Sequence, residues 1–190
     1  MPEFTPHMDR RQELSTGTHS AGTTTWTLLY ADININCLIV GSGASVGTVI
    51  SNPTLNTSTY PYTVSVTGNY NGLTACVGIT YEWYIIPTNP VRMRADGSPD
   101  FTSKMCVRYL DVAYYMSSGF TVRRAMTGRA NSDRVFGGNS DGTVTAKGLY
   151  RANLNGNTVD AAWSVRSSTP KRVVVPSIEF LTDLNTGRDG

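Results

Sequence analysis

The side chains that most often carry catalysis are few in this sequence and poorly placed for it. Its two histidines, His7 and His19, both lie in the polar first 22 residues. A serine or cysteine nucleophile needs a base beside it, so a Ser-His-Asp or Cys-His site is not expected. The glycine-rich run from Gly41 to Ser45 lacks the lysine of a phosphate-binding loop, which indicates a plain turn.

Paired carboxylates are a second route to hydrolysis. Four acidic residues lie in strand-like segments from which two could face one cleft, as in glycosidases: Glu82, Asp111, Asp160 and Glu179. Their spacing along the chain does not place any two of them at the separation that this reaction needs. For Glu82, an ion pair with an arginine across neighbouring strands is the simpler interpretation. We therefore expect no catalytic residues.

Loop oxygens could hold a cation. The candidates are Asp96, Asp100, Asn139 and Asp141, none of them at the spacing of an EF-hand. Ordinary turns closed by the Asp or Asn side chain are the favoured interpretation. We expect no metal site and no cofactor, and Ca²⁺ at subunit contacts is the one ion these loops suggest.

Basic residues form small clusters and no polybasic run, and the net charge is only +2. In an extended segment Arg92 and Arg94 would project to one side about 6.6 Å apart, comparable to successive phosphates. Arg123 and Arg124 would face opposite ways, one of them paired with a carboxylate. Solvated or ion-paired arginines are the alternative for every cluster. The candidate nucleic-acid contacts are Arg10, Arg11, Arg92, Arg94, Lys171 and Arg172.

Tyrosine is the residue type here best suited to recognition, since it carries interfaces and stacks on sugars. The chain has 10 tyrosines. The candidate ligand or receptor contacts are Tyr60, Tyr62, Tyr114 and Tyr115, and packing in a core or on a sheet is the alternative for each.

Strands must position these side chains. Charged residues make up 16% of the chain, with 13 Arg against 3 Lys and 10 Asp against 4 Glu. Long helix-forming side chains are thus scarce, while Thr, Asn, Ser and Gly favour strands and turns. The composition predicts an all-β protein.

The longest apolar run, from Leu73 to Pro87, has a period of two. Leu73, Ala75, Val77, Ile79, Tyr81, Trp83 and Ile85 would face a core. A single strand of this length would span about 50 Å, so we expect a bend, at Gly78. The rest of the core is predicted to pack against this strand.

Two hairpins and one ambiguous segment complete the pattern. Asn71-Gly72 joins the alternating run that begins at Tyr62 to the long strand, and Asn155-Gly156 separates two later runs. Residues 101–116 fit a helix or a strand, and their aromatic content favours a strand. Pro176 places the last strand, within 172–181, at an edge or bulge. About ten strands in paired antiparallel sheets predict a β-sandwich resembling a jelly roll.

The domain organisation is expected to be simple. Residues 1–22 form a flexible leader, in which 1–7 resemble translated cloning sites; residues 23–181 form one β-sandwich domain; and 182–190 form a loose tail. Three cysteines are odd in number and lack metal-ligand spacing, which predicts buried free thiols and synthesis in the cytoplasm. No run of 18 apolar residues exists, so no membrane insertion is expected.

With these features the chain resembles the small jelly-roll coat proteins and protruding domains of non-enveloped viruses. The likeness rests on the polar leader ending at Thr25, the alternating strand around 77–86, and the proline-bounded loops at 53–61 and 87–99. It implies a capsid protein located in the virion, with copies of itself, viral RNA and a host receptor or glycan as partners. A basic N-terminal arm, usual in coat proteins that package RNA, is represented only by Arg10 and Arg11.

Two functions follow as expectations. The first is a non-enzymatic viral structural protein, a self-assembling coat subunit or capsid domain. The alternative is a receptor- or glycan-binding β-sandwich, the head of a spike or adhesin.

Overall fold

The computed structural model describes residues 6–100, 105–137 and 145–184. Within these ranges there is no helix, and all strand pairings are antiparallel. In chain order the strands are β1 (Asp9–Leu14), β2 (Thr18–Ser20), β3 (Thr23–Thr27), β4 (Cys37–Val40), β5 (Val49–Ser51), β6 (Thr54–Asn56), β7 (Thr63–Thr67), β8 (Ala75–Ile79), β9 (Trp83–Ile85), β10 (Arg92–Met93), β11 (Pro99–Asp100), β12 (Met105–Ser117), β13 (Gly119–Met126), β14 (Ser132–Gly137), β15 (Thr145–Asn157), β16 (Ala161–Ser167) and β17 (Ser177–Leu184).

The predicted all-β class is confirmed, with more strands than expected. The described residues form 17 strands, whereas the pattern predicted about ten. The sequence pattern did not predict six of the strands, which lie in segments interpreted as leader or loop: β1, β2, β6, β10, β11 and β14. Most are short, and their exposed polar side chains lack the alternation that marks a strand with one face on a core.

The described residues group into two compact units. The first comprises residues 6–81 and 168–172 and has two sheets, β1-β8-β4-β5 and β2-β3-β7-β6. The second comprises 82–100, 105–137, 145–167 and 173–184 and has the sheets β15-β12-β17 and β14-β13-β16-β9 and the ribbon β10-β11. The organisation of residues 23–181 as one domain stays a prediction.

The core of the first unit draws on both of its sheets. Leu38 and Val77 come from one sheet, and Trp26 and Val64 from the other. The Trp26 indole Nε1 donates a hydrogen bond to the carbonyl oxygen of Leu73 at 2.8 Å, so this large ring is buried without an unpaired polar atom. Alternation in β7 correctly predicted the inward position of Val64.

The core of the second unit is built in the same way. Leu110 and Val112 of β12 belong to one sheet, and Val122 and Trp163 to the other. Trp163 donates from Nε1 to the carbonyl oxygen of Leu154 at 3.3 Å. Four aromatic rings pack together at one part of this core: Tyr114, Phe120, Phe136 and Tyr150.

The single strand predicted for 73–87 is wrong. It is two short strands, β8 and β9, that lie in different sheets and different units. The break follows β8 at Thr80, whose backbone N and hydroxyl both donate to the Asn36 side-chain oxygen, at 2.9 and 3.3 Å. A side chain there replaces the ladder partner, and the run is interrupted at residues 80–82 rather than bent at Gly78.

Both predicted hairpins are also wrong. β7 pairs with β3 and β6, while β8 pairs with β1 and β4. Asn71-Gly72 is a turn, with Gly72 at φ 71°, but it leads the chain from one sheet to the other. Asn155-Gly156 lies inside β15, and the chain turns at 158–160. An Asn-Gly pair favours a reversal without specifying the strand's partner.

The predictions for the two ends of the chain and for residues 105–117 were partly confirmed and partly wrong. The leader predicted for 1–22 contains β1 and β2, and Leu14 in β1 is buried. The segment 105–117 is the strand β12, as predicted, while 101–104 lie outside the described residues. Pro176 precedes β17, which is an edge strand as expected. β17 runs to Leu184, into the predicted tail, and residues 185–190 are outside the described ranges.

Candidate functional site

A cleft of about 290 Å³ opens on the second unit where β12 is irregular. Its lining residues are Cys106, Arg108, Tyr109, Asn153 and Asn155. The register of β12 shifts between Val107 and Tyr109 against both neighbouring strands. Against β17, Val107 pairs with Thr182 and Tyr109 with Leu181, which leaves Arg108 as the extra residue of a bulge. Bulges bend a strand and redirect its side chains, which explains a concave site in the middle of a sheet.

Two ion pairs lie beside this cleft. Arg108 pairs with Asp183 of β17. Arg151 binds Asp111 through two hydrogen bonds, at 2.8 and 2.6 Å, and its guanidinium lies 5.3 Å from the centre of the Tyr109 ring. Hydrogen bonding to Arg151 lowers the pKa of Asp111 and raises that of Arg151.

The four carboxylates considered for catalysis lie in different settings. Glu82 is bound to Arg166 at 3.2 Å, as the sequence predicted. Asp111 and Glu179 lie directly opposite each other in the β12-β17 ladder. A general acid for glycoside cleavage needs a raised pKa, whereas that of Asp111 is lowered. Asp160 lies in the turn after β15 and is exposed.

The candidate nucleic-acid contacts fall into two groups. Arg10, Arg11, Lys171 and Arg172 belong to the first unit, where a hydrogen bond from His7 N to Pro170 O at 2.7 Å brings the two chain segments together. Arg10 pairs with Asp32, and Arg11 with Glu13. Lys171 is only 7% exposed, which leaves little of it for a phosphate.

The remaining cationic candidates lie in the second unit. Arg92 is exposed at the start of β10, and Arg94 lies 3.6 Å from Asp100. Arg123 binds Asp133 through two contacts of 2.7 Å, while Arg124 donates to the carbonyl oxygen of Asn155. Of that neighbouring pair, one arginine is therefore bound to a carboxylate, as expected.

The four candidate tyrosines differ in exposure. Tyr60 is 81% exposed and lies edge-on to Tyr62, with ring centres 5.8 Å apart. Tyr115 is 50% exposed on β12. Tyr114 instead packs on Phe136 at 4.5 Å between ring centres, so it belongs to the aromatic cluster of the core. Alternation along β12 separates Tyr114 from Tyr115, because successive side chains point to opposite faces.

The cysteines and loop carboxylates show no metal-binding arrangement among the described residues. Cys37, Cys76 and Cys106 are free, and burial raises the pKa of the Cys37 and Cys76 thiols to about 11. Asp96 accepts hydrogen bonds from the Ser98 N and hydroxyl, at 2.9 and 2.7 Å, which is the predicted side-chain turn. Asn139 and Asp141 lie outside the described residues.

An exposed apolar segment follows from β9. Tyr84, Ile85, Ile86, Val91 and Met93, here called the 84–93 segment, all have large exposed apolar side chains. β9 is the last strand of its sheet and pairs only with β16 among the described strands. An edge strand presents free backbone groups, and apolar side chains beside them mark a surface suited to association.

Sequence reasoning missed both the cleft and the 84–93 segment. The alternating pattern does place Asn153 on the outward face of its strand, but register shifts leave no signal in a single sequence. Tyr81 and Ile85 were predicted to face the core, yet they are 42% and 39% exposed. Tyr84 was predicted to face the other way.

Comparison with protein-family models and with curated protein sequences found no match to this chain. Within the described residues there is no helix long and apolar enough to cross a membrane.

Proposed function

We propose that this chain is a non-enzymatic structural subunit of a virion, a coat protein or capsid domain that assembles with copies of itself. The observation that carries the proposal is the 84–93 segment, which combines an edge strand with five exposed apolar side chains. Aromatic residues and methionine are enriched in protein interfaces, and charged residues are depleted from their centres. The viral assignment rests on the resemblance alone.

The same proposal includes the finer architecture. Because each core draws on two sheets, we propose that each unit is a two-layered sandwich and that the strands as a whole follow a jelly-roll-like plan. Sheets packed in this way leave their edges and loops for contacts with other subunits.

Assembly can be tested by light scattering and negative-stain electron microscopy of the purified chain. We expect regular particles, or discrete oligomers that grow with concentration. Ile86→Lys combined with Met93→Lys should abolish them, because two charges would be buried in the contact. A wild-type chain that stays monomeric at all salt and protein concentrations would contradict the proposal.

A matched control exists in the same unit. Val135 and Val159 are as exposed as the tested residues, at 68% and 62%. Val135 lies on β14, the opposite edge of the same sheet. Val135→Lys with Val159→Lys adds the same charge elsewhere and should leave assembly intact.

A second candidate function, a receptor- or glycan-binding head, is favoured by Tyr60. Its ring is among the most exposed apolar groups described and has an aromatic neighbour in Tyr62. In a cell-binding assay, Tyr60→Ala should weaken attachment, and Tyr81→Ala, which removes another exposed tyrosine, should not.

Viral RNA is a proposed partner of the first function. If Arg10, Arg11, Arg92 and Arg172 contact phosphates, the affinity for single-stranded RNA must fall steeply with salt. Binding without a salt dependence would remove these arginines from the proposal, and no binding of RNA at any salt concentration would remove RNA.

A further inference from the structure

The cleft at the β12 bulge has polar groups that the protein itself leaves unused. Within the described part of the chain, no hydrogen bond is made by the side-chain amides of Asn153 and Asn155 or by the Tyr109 hydroxyl. Each amide offers two donors and an acceptor, and the phenol offers one donor. These groups converge on one concave surface and can serve a ligand rich in hydroxyls.

The lining is held in place by the strands around it. Arg151 fixes the Tyr109 ring from 5.3 Å away and is itself bound to Asp111. Arg124 donates to the backbone carbonyl of Asn155, which ties the far side of the cleft to β13. A site built on rigid strands loses little freedom when a ligand binds.

Charge selects against an anion. The guanidinium that lines the cleft, Arg108, is paired with Asp183, and Arg151 next to it is paired with Asp111. Arg124 does not line the cleft. A phosphate or carboxylate would meet guanidinium groups whose charge is already balanced by a carboxylate, whereas an uncharged polyol needs only the free amides and the aromatic ring.

We propose that this cleft binds a neutral saccharide, with one sugar ring against Tyr109 and its hydroxyls hydrogen-bonded to Asn153 and Asn155. The volume of about 290 Å³ lies just below the range for ligand pockets, roughly 300–1,000 Å³, so the site holds a single sugar unit. This site is separate from Tyr60 and does not depend on self-assembly.

The test is a glycan array carrying neutral and acidic glycans, followed by saturation-transfer NMR with the methyl glycoside of each neutral hit. We expect binding to a neutral glycan that Asn153→Ala weakens about tenfold or more, since two or more hydrogen bonds are lost. Tyr109→Phe should weaken binding less than Tyr109→Ala, because it keeps the ring.

Two controls separate the cleft from general surface effects. Asn131→Ala removes an exposed amide elsewhere in the second unit, and Tyr81→Ala removes an exposed tyrosine ring from the first unit. Both should bind as wild type. An unchanged melting temperature in Asn153→Ala shows that lost binding is not lost folding.

Three outcomes would overturn the inference: no neutral glycan on the array binds, the Asn153→Ala, Asn155→Ala double variant binds as tightly as wild type, or only acidic glycans bind. Light scattering of the same variants keeps the two proposals apart. Particles that form without sugar binding contradict this inference alone, and sugar binding by a strictly monomeric chain contradicts self-assembly alone.

Discussion

Gln12 is the residue through which β1 is fastened to the first unit. Its side chain is 1% exposed; its oxygen accepts from the Leu29 N at 2.9 Å, and its Nε2 donates to the Tyr30 carbonyl oxygen at 3.3 Å. The sequence gives no hint of this, because a glutamine in a polar segment is usually solvated.

We predict that Gln12→Leu lowers the free energy of unfolding by about 1–3 kcal/mol, because it leaves buried backbone groups without partners. Urea denaturation monitored by tryptophan fluorescence measures the loss. Glu13→Gln, at the exposed neighbouring position, should change stability little. If Gln12→Leu changes stability as little as Glu13→Gln does, the Gln12 contacts carry no stability.

The Asp111–Arg151 pair leads us to predict a specific pH dependence of stability. Its pKa is lowered in the folded chain by the hydrogen bonds from Arg151, so the stabilisation is present above the unfolded pKa and is lost as pH falls through the folded value. We expect Asp111→Asn to cost about 1 kcal/mol at pH 7. The difference from wild type should shrink steadily below about pH 4, near the unfolded pKa of aspartate.

Denaturant titrations between pH 7 and pH 2.5 test this expectation. Glu179→Gln is the matched control, because it removes a carboxylate directly opposite Asp111 without breaking the Asp111–Arg151 pair. A constant difference between Asp111→Asn and wild type over the whole range would refute the linkage.

At the scale of elements, Gly78 permits β1 to lie against β8. A methyl group at Gly78 would meet the Asp9 carbonyl oxygen and the Met8 Cβ, each at 2.9 Å. We predict that Gly78→Ala loosens β1 and exposes the peptide bonds after Arg10 and Arg11 to trypsin. Cleavage there should quicken several-fold, as measured by mass spectrometry of a limited digest.

Gly137→Ala is the control for this digest, because a methyl group at Gly137 meets nothing within 4 Å. It should leave the cleavage rate after Arg10 and Arg11 unchanged. If β1 is as well protected from trypsin in Gly78→Ala as in wild type, the close approach of Gly78 to β1 is not needed to hold the strand.

Local alternation predicted elements well where one face is buried and the other is not. β7 follows from it, and so does the burial of Val64. β12 was predicted instead from the aromatic content of its segment. The pairing partners of the strands could not be predicted from alternation, because an inward-facing row of apolar side chains can be buried by any sheet that covers it. The two Asn-Gly pairs therefore predicted hairpins between strands that lie in different sheets.

The candidate sites were less predictable than the strands. Tyr60 could be proposed from its polar, proline-bounded loop, whereas the cleft depends on a bulge that shifts Arg108 out of register. Ion pairing also decides which arginines are available, and partners such as Asp32 for Arg10 lie far apart in sequence. Only the folded register reveals such pairs.

At the scale of the molecule, each unit has its own buried cluster. The two clusters share no residue, and each contains one fully buried tryptophan, Trp26 or Trp163. Cooperative unfolding units commonly coincide with such cores. The sequence predicted one core around 73–87, and the structure divides that segment between the two units.

We predict that the units open separately in amide hydrogen exchange. Val77→Ala deletes two methyl groups from the first core and should destabilise it by about 2 kcal/mol. Exchange should then quicken in β3, β7 and β8 while β12, β13 and β16 keep their protection. Val122→Ala, the same deletion in the second core, should give the converse pattern. If either variant speeds exchange equally in both sets of strands, residues 23–181 unfold as one cooperative domain, and the two clusters are parts of a single core.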